Sequence, residues 1–244
     1  QMPYIEGGNL IRGSWWGSYD QNSEHLPQMT QVIIGVDGAF KKTDLADYSV
    51  AIVAGLAQDG DIYILDVMRE RLDFPELKRA LIRLNNQWRG RNLRAMYIED
   101  KASGQPALQE LKHQSGLSVI PYKVVSDKVS RISAVTPLIE GGRVLLPTNA
   151  PWLEAFIKET EQFPNGSHDD QVDALSIVLD VLARTPLHSA ADFSLDAMSA
   201  DDSLLKQIQS HRQYTNDPFS NGIDRRSASN NLFSRSDYST ALGE

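Results

Sequence analysis

The sequence predicts an α/β fold, a mixed central sheet with helices on both faces. Two patterns carry that expectation. Three apolar runs follow one another before any helical spacing begins, and Asp59-Gly60 between the second and third is a hairpin signal. Beyond them, segments of helical spacing alternate with short apolar runs bounded by turn residues, as in strands linked by helices.

Taken in order, strands are expected at 32–37, 48–57 and 61–68, and the hairpin makes these antiparallel neighbours. A helix at 75–88 follows from Leu77, Leu81, Leu84 and Trp88 falling on one stripe. A strand at 94–99, a helix at 104–114, a strand at 118–122 and a helix at 127–139 come next. After Gly141-Gly142 the run 143–146 reads as a short strand, and 151–162 as a helix. The closing helix, 169–184, is set by Val172, Leu175, Leu179 and Leu182 at helical spacing.

Length and composition bound the rest. At 244 residues with 41% hydrophobic content, the chain holds one good-sized domain, and part of its length is expected to lie outside a packed core. Residues 1–30 read as a linker or arm, whose Trp15 and Trp16 are expected to dock on apolar surface; 31–184 form the folded domain; 185–244 read as a polar, flexible C-terminal tail. The first residue, Gln1, suggests a piece of something longer. With no cysteine, disulfides and thiolate metal sites are excluded. No apolar run approaches the roughly 18 residues of a membrane span and no signal peptide opens the chain, so a soluble, cytoplasmic protein is expected. The net charge of −8 argues against a protein that coats nucleic acid by bulk electrostatics, but it is compatible with an acidic catalytic cage.

The chemistry is expected from three acidic clusters: Asp37 after Val32-Ile33-Ile34-Gly35-Val36, Glu99-Asp100 after Met96-Tyr97-Ile98, and His168-Asp169-Asp170 before Gln171-Val172-Asp173. A residue at the carboxyl end of a buried strand projects into the crevice above the sheet. If the strands carrying Asp37 and Glu99 are neighbours, about 5 Å apart, their carboxylates can share a divalent ion, and an acid from a helix start completes the cage. Singly, each acid has a local explanation: Asp37 as a turn former, Glu99-Asp100 as a solvated strand end, Asp169 as a helix cap. Together, with no sulfur ligand available, they point to magnesium or manganese rather than zinc. Packed carboxylates repel one another, which raises their proton affinity and weakens the site before a cation enters.

Among basic residues, Lys101 is a candidate phosphate contact and His168 a proton shuttle or a turn residue. Lys41, Lys42, Lys123, Lys128 and Arg131 lie on loops or helix starts nearer the expected acidic edge and are the preferred candidates for phosphate contact. Lys78, Arg79, Arg83, Arg89, Arg91 and Arg94 form the best basic strip, which the sequence alone reads as an ordinary solvated helix face.

The segments Val32-Ile33-Ile34-Gly35-Val36-Asp37, Asp47-Tyr48-Ser49, Ile98-Glu99-Asp100-Lys101-Ala102-Ser103-Gly104 and His168-Asp169-Asp170-Gln171-Val172-Asp173-Ala174-Leu175 resemble the nuclease domain of the large terminase subunit of tailed bacteriophages. The likeness covers roughly 31–184. It implies a ribonuclease H-like fold and a metal-dependent endonuclease that cuts concatemeric viral double-stranded DNA during genome packaging, in the host cytoplasm. It also implies a preceding ATPase domain, with 1–30 as the connection to it, and a small terminase subunit and portal as partners. Carried over by position, the catalytic and metal-binding acids are Asp37, Glu99 and the Asp169-Asp170 pair, with Asp169 favoured as the direct ligand, Asp170 in reserve and Asp173 as a supporting or occasional ligand. Two ions about 3.5–4 Å apart would clamp the scissile phosphate, with Asp37 bridging them. No phosphate-binding loop ending in Gly-Lys-Ser or Gly-Lys-Thr occurs, so no ATP site is expected in these residues. The alternatives are another ribonuclease H-like nuclease, such as a junction resolvase or transposase, or a non-catalytic docking module for portal or motor partners.

Overall fold

Seven strands form one sheet in the order β1-β7-β4-β3-β2-β5-β6 in the computed structural model, which describes residues 9–24, 26–38, 47–101, 104–114 and 116–186. The strands are β1 (Gly17–Tyr19), β2 (Met29–Asp37), β3 (Ser49–Ala57), β4 (Ile62–Glu70), β5 (Leu93–Glu99), β6 (Val119–Tyr122) and β7 (Val144–Pro147). The helices are α1 (Phe74–Trp88), α2 (Gln105–Lys112), α3 (Lys128–Glu140), α4 (Leu153–Gln162) and α5 (Asp170–Ala183).

Strand β3 runs antiparallel to both β2 and β4, while β2, β5 and β6 are parallel, as are β4, β7 and β1. The expected hairpin joins β3 to β4. Gly60 takes φ 88°, Gly60 N–H donates to Ala57 O at 3.1 Å, and Asp61 N–H donates to the Asp59 carboxylate at 3.0 Å. A left-handed turn residue is what glycine supplies without steric cost.

Alternation along the strands divides the core between the two sheet faces. Val32, Ile34, Val36, Ala51 and Val53 pack against Leu77, Leu81 and Trp88 of α1 and Leu108 and Leu111 of α2. Ile33, Val50, Ile52 and Ala54 pack against α3, α4 and α5 on the other face. Every residue of β3 is buried, as expected of a central strand covered on both sides.

The folded unit begins earlier than residue 31. Ile11 is 1% exposed within the core, Trp15 and Trp16 pack against the same cluster, and β1 pairs in parallel with β7. An isoleucine and two indoles need apolar surface, and the outer edge of β7 offers unpaired backbone groups, so this stretch packs as part of the sheet. The tail expected at 185–244 lies, from residue 187 onward, outside the described residues. Among the described residues no helix is long and apolar enough to cross a membrane.

One close approach fixes where α5 lies. A Cβ at Gly35 on β2 would meet Val178 Cγ1 at 2.6 Å and the Ala174 carbonyl oxygen at 3.0 Å. The helix therefore crosses the strand at a separation that only glycine permits, and its first turn comes to rest over the carboxyl end of β2. Gly35→Ala is expected to overpack this crossing and destabilise the protein by about 1–3 kcal/mol, read as a lowered midpoint in urea unfolding.

Candidate active site

The carboxyl ends of β2 and β5 meet at one edge of the sheet. Their parallel register runs Val36 against Ile98, so Asp37 and Glu99 lie side by side one residue further on. Because Val36 and Ile98 point to the α1 face, alternation turns Asp37 and Glu99 to the α5 face. The first turn of α5 brings Asp170 and Asp173 over the same edge.

The start of α5 is secured by another helix. Asp169 occupies the N-cap position, but its side chain makes no capping hydrogen bond. Instead Gln171 N–H donates to Glu159 Oε1 of α4 at 2.7 Å, and Gln171 Nε2 donates to Glu159 Oε2 at 2.7 Å. Arg69 of β4 approaches the same Glu159 carboxylate at 3.2 Å and stacks on Tyr48, whose ring meets His168 edge-on. One of the orphan N–H groups of a helix start is thus satisfied in trans, so neither Asp169 nor Asp170 is consumed in capping. The sequence offered a faint signal for Glu159, an acid beside the buried stripe of α4, and none for its partner.

Two lysines stand among the acids. Lys101 Nζ lies 2.6 Å from Asp37 Oδ1 and 3.0 Å from Glu99 Oε2. Lys128 Nζ lies 2.6 Å from both Asp169 Oδ2 and Asp173 Oδ2, and Arg131 donates to Asp173 Oδ1 at 2.6 Å. Among the described residues no three carboxylate or imidazole side chains converge as a ready-made cage in this arrangement. The acids are gathered around ammonium groups.

Even so, the acids feel one another. Burial pushes the Asp37 carboxyl above its ordinary range, and Glu99 adds to the rise, while Lys101 and Lys128 oppose it. Burial likewise raises Asp170, reinforced by Asp37, Glu159 and Asp169 and opposed by Arg69. Asp173 is raised by burial and by Asp37 against the pull of Lys128 and Arg131. Burial by itself would disfavour the charged form of Lys101, but the Asp37 and Glu99 carboxylates outweigh it and the ammonium is held more firmly than usual.

Asp37, Glu99, Asp170 and Asp173 share the edge. Asp169, expected as the direct ligand, has a 45% exposed side chain turned to Lys128, whereas Asp170 is 21% exposed and interacts electrostatically with Asp37. Lys101, Lys128 and Arg131, expected on DNA phosphates, are engaged with carboxylates. Lys123 is exposed after β6 and makes no ion pair among the described residues, while Lys41 and Lys42 lie outside them. A cavity of about 650 Å³ opens at the opposite edge, beside Trp88 and Trp152, and none of these acids lines it.

The donor set suits a hard divalent cation. It offers carboxylate oxygens only, from two strand ends and a helix start, and the Lys101 ammonium already shows that the Asp37-Glu99 pair holds positive charge between its two oxygens.

A mixed sheet of this order, with helices on both faces and acids gathered at the ends of its central parallel strands, is a ribonuclease H-like domain. The family described as the terminase RNaseH-like domain matches residues 34–181, more than half of the chain, and the chain belongs to that family. Comparison with curated protein sequences gave no match. Among solved structures, the large terminase nuclease of thermophilic phage G20c is similar at a TM-score of 0.52 and 18% identity, covering 71% of this chain and 98% of that one. The same nuclease with bound magnesium gives 0.51 and 18%, covering 72% and 98%. The large terminase of thermophilic bacteriophage D6E in complex with ADP gives 0.50 and 14%, covering 68% of this chain and 44% of that one. Likenesses at such identity establish the fold.

The raised carboxyls make a stability test. A group whose proton affinity is higher in the folded than in the unfolded chain stabilises the fold below its ordinary pKa of about 3.9, and that contribution is lost as pH rises through the elevated value. In EDTA, Asp170→Asn is therefore expected to melt about 2 °C above the parent at pH 8, with the difference vanishing near pH 4. Scanning calorimetry across that range checks it, and an Asp170→Asn protein less stable at pH 8 would contradict it.

Proposed function

We propose that this chain is the nuclease domain of a large terminase subunit, and that it hydrolyses phosphodiester bonds of concatemeric viral double-stranded DNA during genome packaging with the help of magnesium or manganese. One observation carries the reading: carboxylates from β2, β5 and α5 share one sheet edge and hold cationic groups there. The G20c nuclease solved with magnesium, cobalt and zinc supports divalent-metal binding in this family.

In this reading Asp37, Glu99 and Asp170 hold the metal, Asp173 supports from the same first turn of α5, and Asp169 stands at the rim. When bound, two divalent ions would supply charge neutralisation at the phosphate and a more acidic water. The chain's own residues do the rest. The buried Asp37 fixes the position of the scissile phosphate relative to the sheet, since β2 is rigidly paired on both sides. Lys101 and Lys128 act as resident counter-cations that keep the acids ionised and apart, and on substrate entry they can turn to phosphate oxygens. His168, with its Nδ1 3.9 Å from Asp170 Oδ2 and partly open to solvent, is placed to carry a proton away through a water. Contacts to backbone phosphates make the binding weakly sequence-dependent and salt-sensitive. Site choice is then left to the ATPase motor, the small terminase subunit and the portal.

Two experiments test this. Supercoiled plasmid should be nicked with manganese and spared in EDTA, and Asp37→Ala, Glu99→Ala and Asp170→Ala should each lose activity by about 100-fold or more while Asp169→Ala loses less. A folded, metal-loaded chain that leaves the plasmid intact would defeat the proposal. Separately, removing the Lys101 charge with Lys101→Met is expected to tighten manganese binding about tenfold in low salt, because a competing cation leaves the Asp37-Glu99 pair. Isothermal titration reads this without any turnover, and an unchanged affinity would show that Lys101 does not compete for the site.

A further inference from the structure

The stretch 74–94 carries six basic residues and one acidic one, a net +5 inside a chain of net −8. Lys78 is paired with Glu110 at 2.7 Å. The remaining five, Arg79, Arg83, Arg89, Arg91 and Arg94, are all exposed, and none makes an ion pair among the described residues. In a chain with an excess of acid, five arginines that find no carboxylate leave a one-signed field on this face.

Helix stability accounts for one of them at most. Arg89 is the C-cap residue of α1, where a cation offsets the helix dipole, but Arg79 and Arg83 lie before the last turn, which contains no basic residue, and Arg91 and Arg94 lie beyond the helix. The helix is already fixed at its start by an Asp73-Glu76 capping box. All five are arginines, whose fork of donors matches phosphate oxygens, whereas a merely solvated face is served equally by lysine.

The segment that presents them is held in place. The buried stripe Leu77, Leu81, Leu84 and Trp88 pins α1 to the sheet. Arg89 N–H donates to Asn85 O, Arg91 N–H donates to Trp88 O at 2.8 Å, and the Arg91 guanidinium stacks 4.9 Å from the Trp88 ring. Asn92 takes φ 59°, donates through Nδ2 to Met29 O at 2.8 Å and accepts from Val32 N–H at 2.9 Å. The turn that carries Arg89, Arg91 and Arg94 is thus tied to β2.

The row also has a direction. Glu70, at the end of β4, lies at the catalytic edge opposite Ser49, and α1 follows it back across the sheet to β5. From Arg79 to Arg89 the helix advances about 15 Å, the axial length of about four nucleotides of one strand at about 3.4 Å each.

We propose that Arg79, Arg83, Arg89, Arg91 and Arg94 form a second phosphate-tracking surface that takes the backbone of duplex DNA on the α1 face, so that the substrate is held there as well as at the acidic edge. This rests on the nuclease reading for its occupant, and it assigns these residues a role that the catalytic acids do not require. Binding to the row is independent of base sequence and of divalent metal.

The test uses the full chain in EDTA, where no cutting occurs, and a labelled duplex of about 40 base pairs followed by fluorescence anisotropy over a range of salt. Arg79→Gln/Arg83→Gln/Arg91→Gln is expected to flatten the slope of log affinity against log salt by about two to three, at about 0.9 for each phosphate no longer neutralised, while its melting temperature falls by only about 2 °C with the loss of the Arg91-Trp88 stacking. Arg79→Lys/Arg83→Lys/Arg91→Lys should restore the slope, and Lys158→Gln/Arg184→Gln, which removes charge from α4 and the end of α5, should leave it as in the parent. An unaltered slope in the glutamine variant overturns the proposal, as does a parent chain that binds no duplex. Polyglutamate bound as tightly and through the same three arginines overturns DNA as the occupant. Plasmid cutting with manganese, run in parallel, separates the two readings: intact cutting with an unaltered slope removes the arginine surface alone, and absent cutting by the parent removes the nuclease reading whatever the slope shows.

Discussion

Helix α5 crosses β2 over Gly35, where a single added methyl would collide with Val178 and the Ala174 carbonyl, and the remaining features of the acidic edge depend on that separation. A helix held further from the strand would lift Asp170 and Asp173 away from Asp37. Close approach also explains why α5 is buried along nearly its whole length, with Gln171, Asp173 and Ser176 all under cover. Such polar residues tolerate burial because each has a partner: Gln171 on Glu159, Asp173 on Lys128 and Arg131, and Ser176 on the Asp173 carbonyl.

Gathering acids at low exposure costs electrostatic energy, and the fold offsets this with cations drawn from nearby segments. Lys101 follows the end of β5 by two residues, and Lys128 opens α3. Each lies between two carboxylates. The result is an edge where five acids still outnumber three cations, Lys101, Lys128 and Arg131, and the carboxyls of Asp37, Asp170 and Asp173 are still raised. A site of this kind trades stability for a preference for added positive charge, the property the proposed metal centre requires.

Opposite edges of the sheet divide the remaining roles. Strand β1, the cavity beside Trp88 and Trp152, and the Asn92 turn lie toward the edge away from the acids. The α1 face links the two edges with its arginine row. Substrate held along that face would pass from the acids to the side of the sheet that carries the Asn92 turn.

Much of this was legible beforehand. Apolar runs ending in Asp37 and Glu99, the Asp59-Gly60 hairpin and the helical spacing of Val172 to Leu182 each reflect local backbone preference and burial, which short stretches of sequence encode directly. The three acidic clusters were visible for the same reason, as polar groups at the ends of apolar periodicity. Long-range placement was not. Whether Asp169 or Asp170 faces Asp37 turns on a rotation of one residue, about 100° on a helix, and that rotation is set by Glu159 reaching from α4 and by Gly35 beneath the helix. Ile11 and the Trp15-Trp16 pair read as an arm because nothing adjacent in sequence shows the open edge of β7. Residue order alone therefore settled the elements, their succession and the acids at the strand and helix ends. Which acids meet, and which cations stand between them, was settled by folding, because residues distant in the chain are brought together by packing that no local pattern records.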